Sequence, residues 1–158
     1  MQRITRAVAI VAVAGIAFAS GGAAHAATQT WGPRTKAWDG YVRVESSGSF
    51  WNSAGTAKSK VTTKDRRADG NDVHGSTIFY IKKLSADGKV YNWTFWGQKS
   101  GPDVSNTTVT DTFSMGYPAE GHSTYLTDQM RIGAFSCAQM GWPVPDQCTT
   151  HAVLTTTY

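Results

Sequence analysis

Only two cysteines occur in the 158 residues, Cys137 and Cys148, and that scarcity limits what can hold the chain together. Two thiolates are too few for a cysteine-only metal site, and no histidine stands at zinc-finger spacing from them. Long runs of like charge are missing as well. Past residue 26, thirteen Lys and Arg stand against eleven Asp and Glu, a net +2, and the most basic stretch, 58–67, is broken by Asp65. A nucleic-acid partner is not expected, because such surfaces concentrate basic side chains.

Long apolar runs are absent but for one. Arg3 and Arg6 precede thirteen positions without a polar side chain, 7–19, which end at Ser20, Gly21 and Gly22. A helix needs roughly 20 apolar residues to cross a bilayer core of about 30 Å, so this run reads as an export signal and not as a membrane anchor. Ala24-His25-Ala26 offers the small residues a signal peptidase inspects, which predicts a signal peptide of 1–26 and a mature part of 27–158. The two arginines are not adjacent and no cysteine follows the run, against twin-arginine export and a lipidated N-terminus. The expectation is a secreted, extracellular chain of one domain. In an oxidising compartment Cys137 and Cys148 should form a disulfide. It would close a loop of twelve residues, and loops of that size restrict the unfolded chain by roughly 3 kcal/mol.

Helical periodicity is also lacking. Past the signal, no segment of ten or more residues keeps apolar positions at i, i+3, i+4 and i+7 without a glycine, proline or β-branched interruption. What is present instead suits strands: 31 of the 132 residues in 27–158 are Ser or Thr, and Thr, Val, Tyr, Phe and Trp dominate between turns. Residues 57–64 alternate Ala57, Ser59, Val61 and Thr63 against Lys58, Lys60, Thr62 and Lys64, a pattern with one solvated face. Ala68-Asp69-Gly70-Asn71 and Ala86-Asp87-Gly88 supply turn residues on either side of 73–84. That predicts strands 57–64, 73–84 and 90–96 joined as an antiparallel meander. Further strands are expected at 41–45, 104–113, 129–137 and 151–157, with Phe50 and Trp51 adding a short one, 28–39 as an irregular lead-in and 116–121 as a surface loop. Seven or eight short strands with one disulfide predict an all-β, antiparallel two-sheet sandwich, Ig-like or jelly-roll-like, with a barrel as the alternative.

Residues 65–75 read D-x-x-A-D-G-x-x-V-x-G, and here the chain resembles small exported actinobacterial proteins, of unknown function, that carry this turn between two strands. The resemblance implies a β-sandwich and supplies no catalytic residue.

Catalytic signatures are wanting. There is no G-x-S-x-G elbow and no H-E-x-x-H, and a disulfide would leave no thiol nucleophile. The histidines of the mature part are His74, His122 and His151, and a small hydrolase would start from His122 beside Glu120. The sequence leans toward a protein without catalysis or cofactor. Asp65, Asp69, Asn71 and Asp72 gather oxygen side chains that suit calcium, but not in EF-hand register; capping of a turn is the structural alternative.

The aromatic residues carry more information. All six tryptophans lie in 27–158: Trp31, Trp38, Trp51, Trp93, Trp96 and Trp142. If Leu84 pairs with Lys89, Tyr80 faces Trp93, Ile78 faces Phe95 and Lys82 faces Tyr91 on one side, with Phe79, Ile81 and Val90 on the other. A sandwich sheet buries one face only. If the first row faces outward, Tyr80, Tyr91 and Trp93 form a platform for a sugar or a flat apolar ligand; if inward, they are core. A second candidate is the loop between the cysteines, where Trp142, Pro143, Val144 and Pro145 make a stiff aromatic tip that suits docking to an extracellular protein or a protease cleft, or that packs back as a structural closure. The candidate partners are thus a glycan or an extracellular protein.

Overall fold

The computed structural model describes residues 28–53, 55–89, 91–118, 125–141 and 143–157, with only the backbone at 125–128 and 157. The expected signal segment lies outside the described residues. Nine strands and no helix are found among them: β1 (Gln29–Trp38), β2 (Tyr41–Ser53), β3 (Thr56–Asp65), β4 (Val73–Leu84), β5 (Tyr91–Ser100), β6 (Thr108–Gly116), β7 (Tyr125–Ala138), β8 (Gln147–Cys148) and β9 (Ala152–Thr157). They form two antiparallel sheets, β1-β2-β3-β6 and β5-β4-β7-β8 with β9 also on β7. The two-sheet sandwich holds, and the disulfide joins Cys137 to Cys148, which sit opposite one another on β7 and β8.

Alternation along each strand builds the interior. On β3, Ala57, Ser59, Val61 and Thr63 are buried while Lys60 and Lys64 are exposed. On β4 and β7, Phe79, Ile81, Met130, Ile132 and Ala134 turn inward to meet Phe50, Val61 and Phe113 of the other sheet. A smaller cluster of Val44, Val73 and Ala138 closes one end. A band of buried hydroxyls accompanies them. Thr63 Oγ1 and Ser136 Oγ are 2.6 Å apart, Ser136 donates to Ser46 Oγ at 2.8 Å, and Thr77 donates to Ser59 Oγ at 3.1 Å. Pairing of this kind is what lets hydroxyls enter a core without the penalty of an unsatisfied group.

Three local expectations are corrected. The segment expected as a lead-in is strand β1, paired along β2. Its turn is Asp39-Gly40, both at positive φ, the chemistry of a two-residue hairpin. Strands β3, β4 and β5 are not one meander: β3 pairs with β2 and β6, and β4 with β5 and β7. The connection after β3 therefore crosses between sheets, because the two inward rows it joins must face each other across the core. Finally, Leu84 pairs with Tyr91, not Lys89. Asp87 accepts from the Ser85 hydroxyl and the Lys89 amide, so the turn consumes more residues than Ala-Asp-Gly alone.

The D-x-x-A-D-G-x-x-V-x-G segment is this crossover, and its residues have structural work. Asp65 accepts from the backbone amides of Arg67 and Asn106, and Asp69 from that of Asn71. Gly70 takes φ +82°, and Val73 is buried in the smaller cluster. A Cβ at Gly75 would stand 2.8 Å from Thr63 Oγ1 and 3.1 Å from Val61 Cγ1 of the opposite sheet. Arg43 and Arg67 pair with Asp69, Arg66 pairs with Glu45 at 3.4 Å, and the Arg67 guanidinium lies 4.0 Å above the Tyr41 ring.

Candidate functional site

The register shift of two residues between Leu84 and β5 preserves which side chains share a face. Tyr80 stands beside Phe95, Lys82 beside Trp93 and Leu84 beside Tyr91, while Phe79 and Ile81, the alternate positions, are wholly buried. The row holding Tyr80, Tyr91 and Trp93 is therefore the outward one. Phe95 is 59% exposed and Tyr91 39%; Tyr80 and Trp93 are half-buried. The rings of Tyr80 and Phe95 meet edge to face, with centroids 6.4 Å apart and planes at 81°. A bulge between Phe79 and Tyr80 leaves Trp96 as the extra residue on β5, also 38% exposed.

The face continues onto β7 and β9. Arg131 pairs with Tyr80 on one side and Thr155 on the other. Its guanidinium lies 4.4 Å from the Trp93 ring centroid, and the Lys82 ammonium lies 5.3 Å from the same point. The result departs from a bare flat platform: the π-surface of Trp93 is engaged by two cations, a favourable contact with the negative face of the ring, and the open rings are Phe95 and Tyr91. Farther along, Phe135 stacks on His151 at 4.3 Å and 16°, and Val153 is 58% exposed. Burial lowers the His151 pKa from its ordinary value.

Sequence reasoning placed Tyr80, Tyr91 and Trp93 on one face without deciding which way it points. It missed Arg131. That residue lies between the buried Met130 and Ile132, so alternation puts it outward, yet its neighbour Trp93 is set by long-range strand pairing. It also missed the hairpin tip, where Trp38 and Tyr41 are paired and exposed; the Asp-Gly between them was the available signal.

The other candidates resolve differently. His122, Glu120 and Trp142 lie outside the described residues. His74 Nδ1 is 3.1 Å from Asp103 Oδ1, without hydrogen-bond geometry. Ser76 shares that end of the sheet but is fully buried and shares a hydrogen bond with Ser100 at 2.7 Å, so it presents no hydroxyl to a substrate. The carboxylates of Asp65 and Asp69 are directed at amides and arginines, and among the described residues no three His, Cys, Asp or Glu converge as metal ligands. In the disulfide loop, Pro143 and Pro145 are exposed and Val144 is half-buried. Two bonds hold its course, Val144 N–H to Gly141 at 2.9 Å and Gln147 Nε2 to the Pro145 carbonyl at 2.8 Å.

No protein-family model matches the chain, and the comparisons with curated proteins and with solved structures give no match.

Proposed function

We propose that this chain is a secreted binding protein without catalysis that recognises a glycan, outside the cell or at its surface, through the outer face of β5, β4 and β7. The observation that carries the reading is the uncovered aromatic row. Tyr80, Tyr91, Trp93 and Phe95 share the solvent side of a sheet whose other side already supplies the core. Core packing gives no reason for rings there, whereas the C–H face of a sugar stacks on them. Affinity electrophoresis and calorimetry against a panel of soluble polysaccharides test it. The Y91A and F95A variants should bind about ten-fold more weakly, at roughly 1.4 kcal/mol per decade, with unchanged circular dichroism. Wild-type affinity in both variants would remove the reading.

A second reading, protein recognition by the disulfide loop, is supported by its two exposed prolines and the bonds that fix its course. A rigid loop loses little entropy on docking. A protease inhibitor built this way loses potency on reduction of Cys137–Cys148, while glycan stacking on Tyr91 and Phe95 does not depend on that bond.

A further inference from the structure

Among the described side chains the charge on the aromatic face is one-sided; Asp128 of β7 lies outside them. Strands β4, β5 and β9 contain no Asp or Glu, and neither do residues 129–138 of β7. Among the described residues, Arg131 and Lys82 make no ion pair with a carboxylate. The Arg131 Nε is buried and has no hydrogen-bond partner. Asp87, in the adjoining turn, accepts from Ser85 and the Lys89 amide, and hydrogen bonding holds its pKa below the ordinary value, led by that to Ser85. Two cations are thus held at a solvent-facing ring, and among the described residues no carboxylate neutralises them. Elsewhere Arg43 and Arg67 pair with Asp69 and Arg66 with Glu45, while Arg34 donates to the Thr150 hydroxyl.

Resting on the glycan reading above, we propose that the ligand of this face is an acidic polysaccharide built of uronate sugars. Charge complementarity selects an anion. A guanidinium stacked on an indole keeps its in-plane N–H donors, whose fork matches a carboxylate. Position selects the kind of anion. Both cations attend the same ring, at 4.4 and 5.3 Å from its centroid, and the exposed Phe95 pairs across Tyr80, next along the sheet. In a uronate the carboxylate is fixed directly to the pyranose ring. One rigid residue therefore offers an apolar C–H face to Phe95 or Tyr91 and its charge to Arg131 and Lys82.

The test uses the chain with three uronate polymers (polygalacturonate, alginate and hyaluronate), fully methyl-esterified polygalacturonate, and dextran sulfate, with affinities read by calorimetry at two salt concentrations. The expected result is binding of at least one uronate polymer, ten-fold or more weakened by esterification where that polymer is polygalacturonate. R131Q and K82Q should each lose five-fold or more for the acid form. K99Q, a lysine at an alternate position of the edge strand, should change nothing. Two variants are used so that a folding defect in one leaves the other decisive. Neutral glycans bound and no uronate polymer bound overturns the charge assignment alone. So does uronate binding that both R131Q and K82Q leave intact, or equal losses in K99Q and R131Q with tighter binding of dextran sulfate, the mark of unselective ion exchange. No binding of any polysaccharide overturns the glycan reading itself.

Discussion

Asp111 stands on the inward side of β6, with its Oδ2 buried and unpaired. It packs against the backbone of Gly101, where a Cβ would meet that oxygen. Desolvation raises its pKa above the ordinary 3.8. The sign follows from linkage. Between the unfolded and the higher folded pKa the native state holds more protons, so stability falls as pH rises through that window, and the charged Asp111 costs stability at neutral pH. D111N should raise the melting temperature at pH 7 by about 2 °C, a small gain because the group is partly solvated, and the gain should vanish below about pH 4. His151 has the opposite dependence. Its folded pKa is lowered by burial, so its contribution is complete above about pH 6.5 and is lost as pH falls through the folded value. H151F keeps the ring against Phe135 and removes the titration. Thermal unfolding at pH 8 should be nearly unchanged, and the drop toward pH 5 should be shallower than in the wild type.

At the scale of elements, the crossover from β3 to β4 is the segment most tightly specified by its residues. Gly75 brings β4 close to β3 of the facing sheet, and G75A must displace Thr63, whose hydroxyl bonds Ser136. The expected cost is about 1 to 3 kcal/mol, seen as a lower denaturant midpoint at unchanged slope. The bridge from β7 to β8 is the other element-level constraint. Replacing both cysteines by serine should cost about 3 kcal/mol in chemical denaturation. The bridge closes the twelve residues 137–148, a sequence separation of 11.

For the whole molecule, the decisive quantity is which side of the β4-β5 layer is covered. Phe79 and Phe95 lie on adjacent strands, one fully buried and one 59% exposed. F79A should lose about 3 to 5 kcal/mol and F95A less than about 0.5. Equal losses in urea titrations would mean that the assignment of faces is wrong.

Alternation of side chains, turn chemistry and the cysteine count determined the all-β class, two layers, the bounds of β4 and the disulfide. They did so because period-two patterns and φ-tolerant turn residues act locally. Asp39-Gly40 carries the same kind of local signal for the β1–β2 hairpin, which the expectation of an irregular lead-in over 28–39 passed over. Tertiary structure alone decided that β3 leaves its sequence neighbour β4 for β2 and β6, that Leu84 meets Tyr91, and that Phe79, not Tyr80, looks inward. Both faces of the β4-β5 pair carry rings, so the local pattern is nearly symmetric, and only the fit of one face against Val61, Phe50 and Phe113 breaks that symmetry. The contact of Arg131 with Trp93 joins residues 38 positions apart across β4, and its existence follows from strand order, which no local pattern encodes.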